Sequence, residues 1–184
     1  MQEKSAGERI REKKVSLDTA KVKAFFDARC QKDLPYLYNY TNYQDNHPAL
    51  ALERDRAEKA RIAPLLAASS DALILDIGCG VGRWGDEFAV HLAGKGRYVG
   101  VDYSEGLLQL AKEHAKEREN CEFYCASFQE LSAALPQKYR GKVFDRILVN
   151  GVLMYVNDED LPLCISNVKD LLSRGGILYV KESV

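Results

Sequence analysis

The run Leu73-Ile74-Leu75-Asp76-Ile77-Gly78-Cys79-Gly80-Val81-Gly82-Arg83-Trp84 constrains the fold more than any other stretch of this chain. An almost wholly apolar segment of strand length ends in an acid and breaks into alternating glycines. Glycines at Gly78, Gly80 and Gly82 let the backbone take positive φ. They also let a ligand lie against the main chain where a Cβ would collide. A strand here delivers a bound molecule to a glycine turn.

Beyond the turn, apolar runs and helical stretches alternate to the end of the chain. Apolar runs predict strands over 72–77, 97–102, 121–126, 143–149 and 176–182. Helical spacing predicts helices over 83–93, 105–117, 129–134 and 158–173. Ser104 is placed to cap the second of these helices and Asn157 or Asp158 the last, with Gly175-Gly176 turning into the final strand. Such alternation demands an α/β fold: a Rossmann-like, doubly wound, mainly parallel sheet with helices on both faces. The chain divides into an N-terminal helical or lid segment, 1–70, and a core, 71–184.

Asp76 narrows the ligand. A carboxylate beside the turn repels a pyrophosphate but suits a ligand carrying an ammonium group and a positive sulfur, the charge pattern of S-adenosylmethionine. With Asp76-Ile77-Gly78-Cys79-Gly80-Val81-Gly82 the chain resembles the class I S-adenosylmethionine-dependent methyltransferases, whose first motif reads acid-x-Gly-x-Gly-x-Gly. Two further segments match in order. Tyr98-Val99-Gly100-Val101-Asp102-Tyr103-Ser104 is a strand closing on an acid, and Phe144-Asp145-Arg146-Ile147-Leu148-Val149-Asn150-Gly151-Val152-Leu153-Met154-Tyr155 is similar to the family's fourth strand and methyl-pocket loop. The same letters hold a second reading, because Gly80-Val81-Gly82-Arg83-Trp84-Gly85 satisfies the G-x-G-x-x-G dinucleotide fingerprint and Asp102 could then hold an NAD ribose. Against it, that turn would begin two residues late and leave Asp76 where a pyrophosphate needs helix N–H groups.

The resemblance implies a cofactor, S-adenosylmethionine, a product, S-adenosylhomocysteine, and a set of contacts. Asp102 accepts from the ribose hydroxyls, each charge-assisted bond being worth roughly 1.5–3 kcal/mol. Asp76, Gly78, Cys79, Gly80, Arg83 and Tyr103 belong to the same site, with Arg83 reaching for the cofactor carboxylate. Leu107 and Phe128 flank the adenine, and Ser127 stands where an acid is common. Asn150 lies against the methionine part, and Tyr155 sits beside the reacting sulfur. Methyl transfer from a sulfonium is an in-line displacement that depends on alignment more than on acid–base groups. A neutral oxygen or nitrogen acceptor must still lose a proton, for which His47 or a carboxylate is the candidate base. Tyr155 and His47 are therefore the candidate catalytic residues.

The N-terminal segment carries a helix from Asp18, its N-cap, with Val22, Phe25, Phe26 and the aliphatic stem of Arg29 at helical spacing. A Tyr- and Asn-rich loop over 35–48 offers Tyr38 and Tyr43 as lid or substrate contacts. A second helix runs from Pro48 to Ala63 with an Asp55–Lys59 pair.

Bulk properties exclude more than they select. A formal net charge of −1 over 184 residues gives no reason to expect nucleic acid, and no apolar run reaches membrane-spanning length. Five cysteines, odd in number and without paired spacing, point to a reducing, cytoplasmic compartment and to no metal. A family member continues into a sixth and an antiparallel seventh strand, whereas this chain stops at Lys181-Glu182-Ser183-Val184. The expectation is that strands six and seven are missing, so that a homodimer or another partner covers the open edge, or the sequence is a fragment. The lack of a Pro-Pro-Tyr motif after the fourth strand argues against amino-methylation of nucleic acids. The resulting expectation is methyl transfer to oxygen or nitrogen of a small molecule such as a sugar, natural product or related metabolite. Two alternatives remain: a protein or peptide N-methyltransferase, hinted at by the 176–183 ending, and an inert cofactor-binding module.

Overall fold

Five parallel strands form one sheet in the order β3-β2-β1-β4-β5: β1 (Leu73–Ile77), β2 (Arg97–Asp102), β3 (Cys121–Cys125), β4 (Phe144–Asn150) and β5 (Leu172–Lys181). The computed structural model describes residues 16–42, 46–141 and 143–182. The chain winds outward from β1 to β3, then crosses back to place β4 on the other side of β1. The strand order therefore reverses between β1 and β4, where Leu75 lies opposite both Val99 and Ile147. In open α/β sheets ligands bind beyond the carboxyl ends of the strands at such a reversal.

Period-two alternation along the strands builds two cores. Leu75, Ile77, Val101, Ile147 and Val149 face one side, under α5 (Leu131–Ala134) and the Cys164, Val168 and Leu171 stripe of α6 (Leu161–Leu171). Ile74, Tyr98 and Leu148 face the other, under Trp84 and Phe88 of α3 (Arg83–Phe88) and under Leu66. A third cluster joins Phe26 of α1 (Thr19–Cys30), Val81 of the glycine turn and Leu107 of α4 (Glu105–His114). The remaining helix, α2 (Ala49–Ile62), carries the expected Asp55–Lys59 pair at 2.8 Å.

Local signals that depend on neighbouring residues are realised. Asp18 caps α1 by accepting from the Lys21 N–H, and Ser104 caps α4 by accepting from Leu107. Other expectations need correction. The helix expected to reach residue 93 stops at Phe88: the His91 N–H donates to Phe88, only three residues back, and the Ala93 N–H to Ser70 of the preceding segment. Neither Asn157 nor Asp158 caps α6, whose N-cap is Asp160. The Asn157 side chain instead clasps the Leu17 backbone, accepting from its N–H at 2.7 Å and donating to its carbonyl. The last strand begins at Leu172 rather than 176. Gly175, at φ +82°, takes up a register shift against β4 that lets both flanks pair. On α1, Phe25 is exposed, while Arg29 is buried and donates to the carbonyls of Asn39 and Tyr40. Arg29 thus pins the Tyr- and Asn-rich loop, part of which is a 3-10 turn over Leu37–Tyr40.

Candidate active site

At the carboxyl ends of the strands lies a cavity of about 940 Å³. Its floor is the glycine turn, and that turn is fastened to β2. The N–H groups of Gly78 and Cys79 both donate to the Val101 carbonyl, at 2.7 and 3.0 Å. Asp102 completes the attachment: one carboxylate oxygen accepts from the Gly80 N–H and the other from the Ser104 N–H, each at 2.9 Å. Burial pushes the Asp102 carboxyl above its ordinary range, partly opposed by those N–H donors. The glycines are required on two grounds. Gly78 and Gly80 have φ of +71° and +55°, and a Cβ at either would lie 2.3 Å from Val152 Cγ2 or 2.5 Å from Thr41 Cγ2.

Most residues expected at the site line this cavity: Gly78, Cys79, Gly80, Arg83, Asp102 and Tyr103 on the β1–β2 side. Leu107, Ser127 and Phe128 line it further along, and Asn150 and Tyr155 on the β4 side. Their states differ from the expectations in instructive ways. Phe128 serves both as cavity wall and as core. The Ser127 hydroxyl donates to Glu130 at 2.7 Å. The Tyr103 hydroxyl is buried without a hydrogen-bond partner among the described residues, and burial pushes its phenol up. Tyr155 stands edge-on to Phe26 of α1, with ring centroids 5.5 Å apart.

Four expected residues sit elsewhere or are otherwise engaged. Asp76 points to the opposite face from Ile77, is 2% exposed and does not line the cavity. It accepts from the Tyr98 hydroxyl at 2.5 Å, and burial raises its carboxyl to about 7. Arg83 lines the cavity with its guanidinium already engaged, pairing with Asp55 at 2.6 Å and Glu58 at 3.0 Å. Tyr38 points away from the cavity, donates to Asp86 and lies under Lys59. His47 is exposed and off the cavity, and Tyr43 lies outside the described residues.

The structure adds wall residues that sequence reasoning missed. From α1 come Val22 and Phe26; from α2, one turn apart, Arg54 and Glu58; from the end of β5, Lys181 and Glu182. Glu58 is a hub, accepting from Asn150 Nδ2 at 2.6 Å and pairing with Lys181 at 2.8 Å as well as with Arg83. These neighbours outweigh burial and hold its carboxyl below the ordinary range. No linear motif announces it, because its partners lie up to 123 residues away on three different elements.

Comparison with known proteins agrees with the geometry. Residues 74–176 match the family described as a methyltransferase domain, more than half of the chain. This chain therefore belongs to that methyltransferase family, and the expected class I fold stands. It is similar to phosphoethanolamine N-methyltransferase 1 of Triticum aestivum, 25% identical over 134 residues, covering 72% of this chain and 26% of the wheat protein. The Caenorhabditis elegans protein of the same name is 27% identical over 171 residues, covering 92% of this chain and 32% of that one. Among solved structures, phosphoethanolamine N-methyltransferase 1 of Haemonchus contortus, in complex with phosphoethanolamine and S-adenosylhomocysteine, superposes with a TM-score of 0.71. That match is 20% identical and covers 90% of this chain and 32% of that one. The N-methyltransferase NodS of Bradyrhizobium japonicum gives 0.65 at 20% identity, covering 89% and 72%. The chain thus spans about a quarter to a third of the phosphoethanolamine enzymes it resembles. Among the described residues no helix is long and apolar enough to cross a membrane, and no cluster of His, Cys, Asp or Glu is arranged to hold a metal.

Proposed function

We propose that this chain binds S-adenosylmethionine in the cavity and transfers its methyl group to nitrogen or oxygen of a small molecule, releasing S-adenosylhomocysteine. The observation that carries the reading is Asp102, a buried carboxylate fixed by the Gly80 and Ser104 N–H groups in the wall of a cavity at the strand-order reversal. When bound, the cofactor supplies an electrophilic methyl carbon and a neutral leaving group.

The residues present fit that cofactor. Asp102 has lone pairs left for ribose hydroxyls, and the unpartnered Tyr103 hydroxyl beside it needs a polar partner. Leu107 and Phe128 offer apolar faces for a base. The amino-acid end lies against Gly78 and Asn150 in the cavity wall, and Tyr155 bounds the space where the methyl group sits. Asp76 supports the turn from behind rather than touching the ligand. The small-molecule reading is supported by relatives named for phosphoethanolamine. The five cysteines, none in a disulfide, support a reducing cytoplasmic setting. The outer edge of β5, with Ile177, Leu178 and Val180 exposed, is in our reading the contact surface for a second copy.

Titration calorimetry with S-adenosylmethionine, S-adenosylhomocysteine and NAD tests the central claim. Both adenosyl ligands are expected to bind and NAD to give no heat. Asp102→Asn, which keeps the side-chain shape but loses the charge, is expected to weaken the adenosyl ligands by about tenfold or more. Binding of NAD alone would overturn the reading.

A further inference from the structure

We propose that Glu182 receives the amine of the acceptor and takes its proton, which makes the reaction an N-methylation. This rests on reading the cavity as a methyl-transfer site. Glu182 follows β5 directly and lines the cavity beyond Tyr155 and Asn150. One carboxylate oxygen, Oε1, is fixed by two backbone donors, the Val152 N–H at 2.9 Å and the Leu153 N–H at 2.7 Å. The other, Oε2, is buried and has no hydrogen-bond partner among the described residues. Backbone bonds on one oxygen hold the carboxylate in place, while the second is desolvated without compensation. A buried acceptor left in that state costs on the order of 1–3 kcal/mol, more when charged, so the site is completed by a donor that enters from outside.

Charge identifies the donor as a cation. Lys181, its neighbour in the chain, pairs with Glu58, and Arg83 of the wall with Asp55 and Glu58, while Arg54, also in the wall, makes no hydrogen bond to Glu182 Oε2. Glu182 makes no ion pair among the described residues. The other carboxylates of the cavity are committed elsewhere. Asp102 is bonded to backbone N–H groups, Glu58 to Arg83, Lys181 and Asn150, and Glu130 to Ser127. His47, the other candidate base, is exposed and off the cavity. Among these acids only Glu182 has a buried oxygen without a hydrogen-bond partner among the described residues.

An alkyl amine reaches the cavity as its ammonium form near neutral pH, and an ammonium has no lone pair for attack. It donates one proton to Oε2, which leaves a neutral amine beside a protonated Glu182. The nitrogen lone pair then forms a bond to the methyl carbon while the carbon–sulfur bond breaks. That electron pair stays on sulfur, giving the neutral thioether of S-adenosylhomocysteine and an N-methylammonium product. The proton on Glu182 passes to solvent and restores the carboxylate.

The test uses sinefungin, the cofactor analogue in which an amine-bearing carbon replaces the methylsulfonium, so that an ammonium projects toward the acceptor side of the cavity. Calorimetry of the whole chain and of Glu182→Gln is run with sinefungin and with S-adenosylhomocysteine. Gln keeps an oxygen for Val152 and Leu153 but offers an N–H where Oε2 stood. The wild-type chain is expected to prefer sinefungin by about tenfold or more, and Glu182→Gln to erase that preference while S-adenosylhomocysteine holds within about twofold. An unchanged preference in the variant overturns the proposal. So does an equal loss of both ligands, which would make Glu182 only a support for the Val152–Leu153 loop. Absence of binding of either ligand to the wild-type chain would instead remove the underlying reading of the cavity.

Discussion

Asp76 shows how one position in a strand decides a residue's chemistry. It shares the face of Ile74, so its side chain enters the core under Trp84 instead of the cavity, and burial holds its carboxyl at about 7. The folded chain therefore keeps a proton that the unfolded chain, with a pKa of 3.8, has released through the window between those values. Stability falls as pH rises through that window, by up to about 1.4 kcal/mol per unit, and levels off above it. Asn at this position still accepts from Tyr98 and does not titrate. Urea unfolding at pH 5 and pH 8 should show wild type losing about 2–3 kcal/mol relative to Asp76→Asn. Equal pH dependence of the two proteins would mean that Asp76 is ionised in the fold. Asp102, by contrast, stands where the sequence placed it, because the end of a strand at a turn leaves its side chain free to bond the neighbouring N–H groups.

Helix α2 reaches the site through side chains that only the assembled fold brings into play. Glu58 ties it to Arg83 of α3, to Asn150 at the end of β4 and to Lys181 at the end of β5. Glu58 and Arg83 are each about one-tenth exposed, so the pair is largely dry. Removing one partner of a buried pair costs about 3–5 kcal/mol when the other is left alone. Here Asp55 still holds Arg83, so Glu58→Ala is expected to cost about 2–3 kcal/mol in urea unfolding. A change below about 0.5 kcal/mol would show that the cluster is solvated and does not fasten α2 to the sheet. The polar face of α2 is legible in the sequence as a helix face, but not as a cavity wall. Spacing within one helix carries no information about which other strand ends it will meet.

At the scale of the whole molecule, the central strands of the sheet are covered on both faces, but among the described residues β5 is open, with Ile177, Leu178 and Val180 39, 42 and 46% exposed. An apolar edge with unpaired backbone groups pairs with another chain unless charge blunts it. Sedimentation velocity is expected to show concentration-dependent association that Ile177→Lys combined with Val180→Lys abolishes. A wild-type chain that stays monomeric at high micromolar concentration would refute the self-pairing. By itself the sequence determined the parallel α/β frame, four of the five strands to within a residue, the glycine turn, Asp102 and the Ser104 cap. All of these depend on periodicity and on bonds between residues close in the chain. Only the tertiary structure decided that Asp76 faces the core, that Arg83 is spent on α2, that α1 and α2 wall the cavity, and that Glu182 meets the loop after β4. Those outcomes depend on which strand ends the crossovers bring together, and contacts spanning 30 or 92 residues leave no local pattern to read.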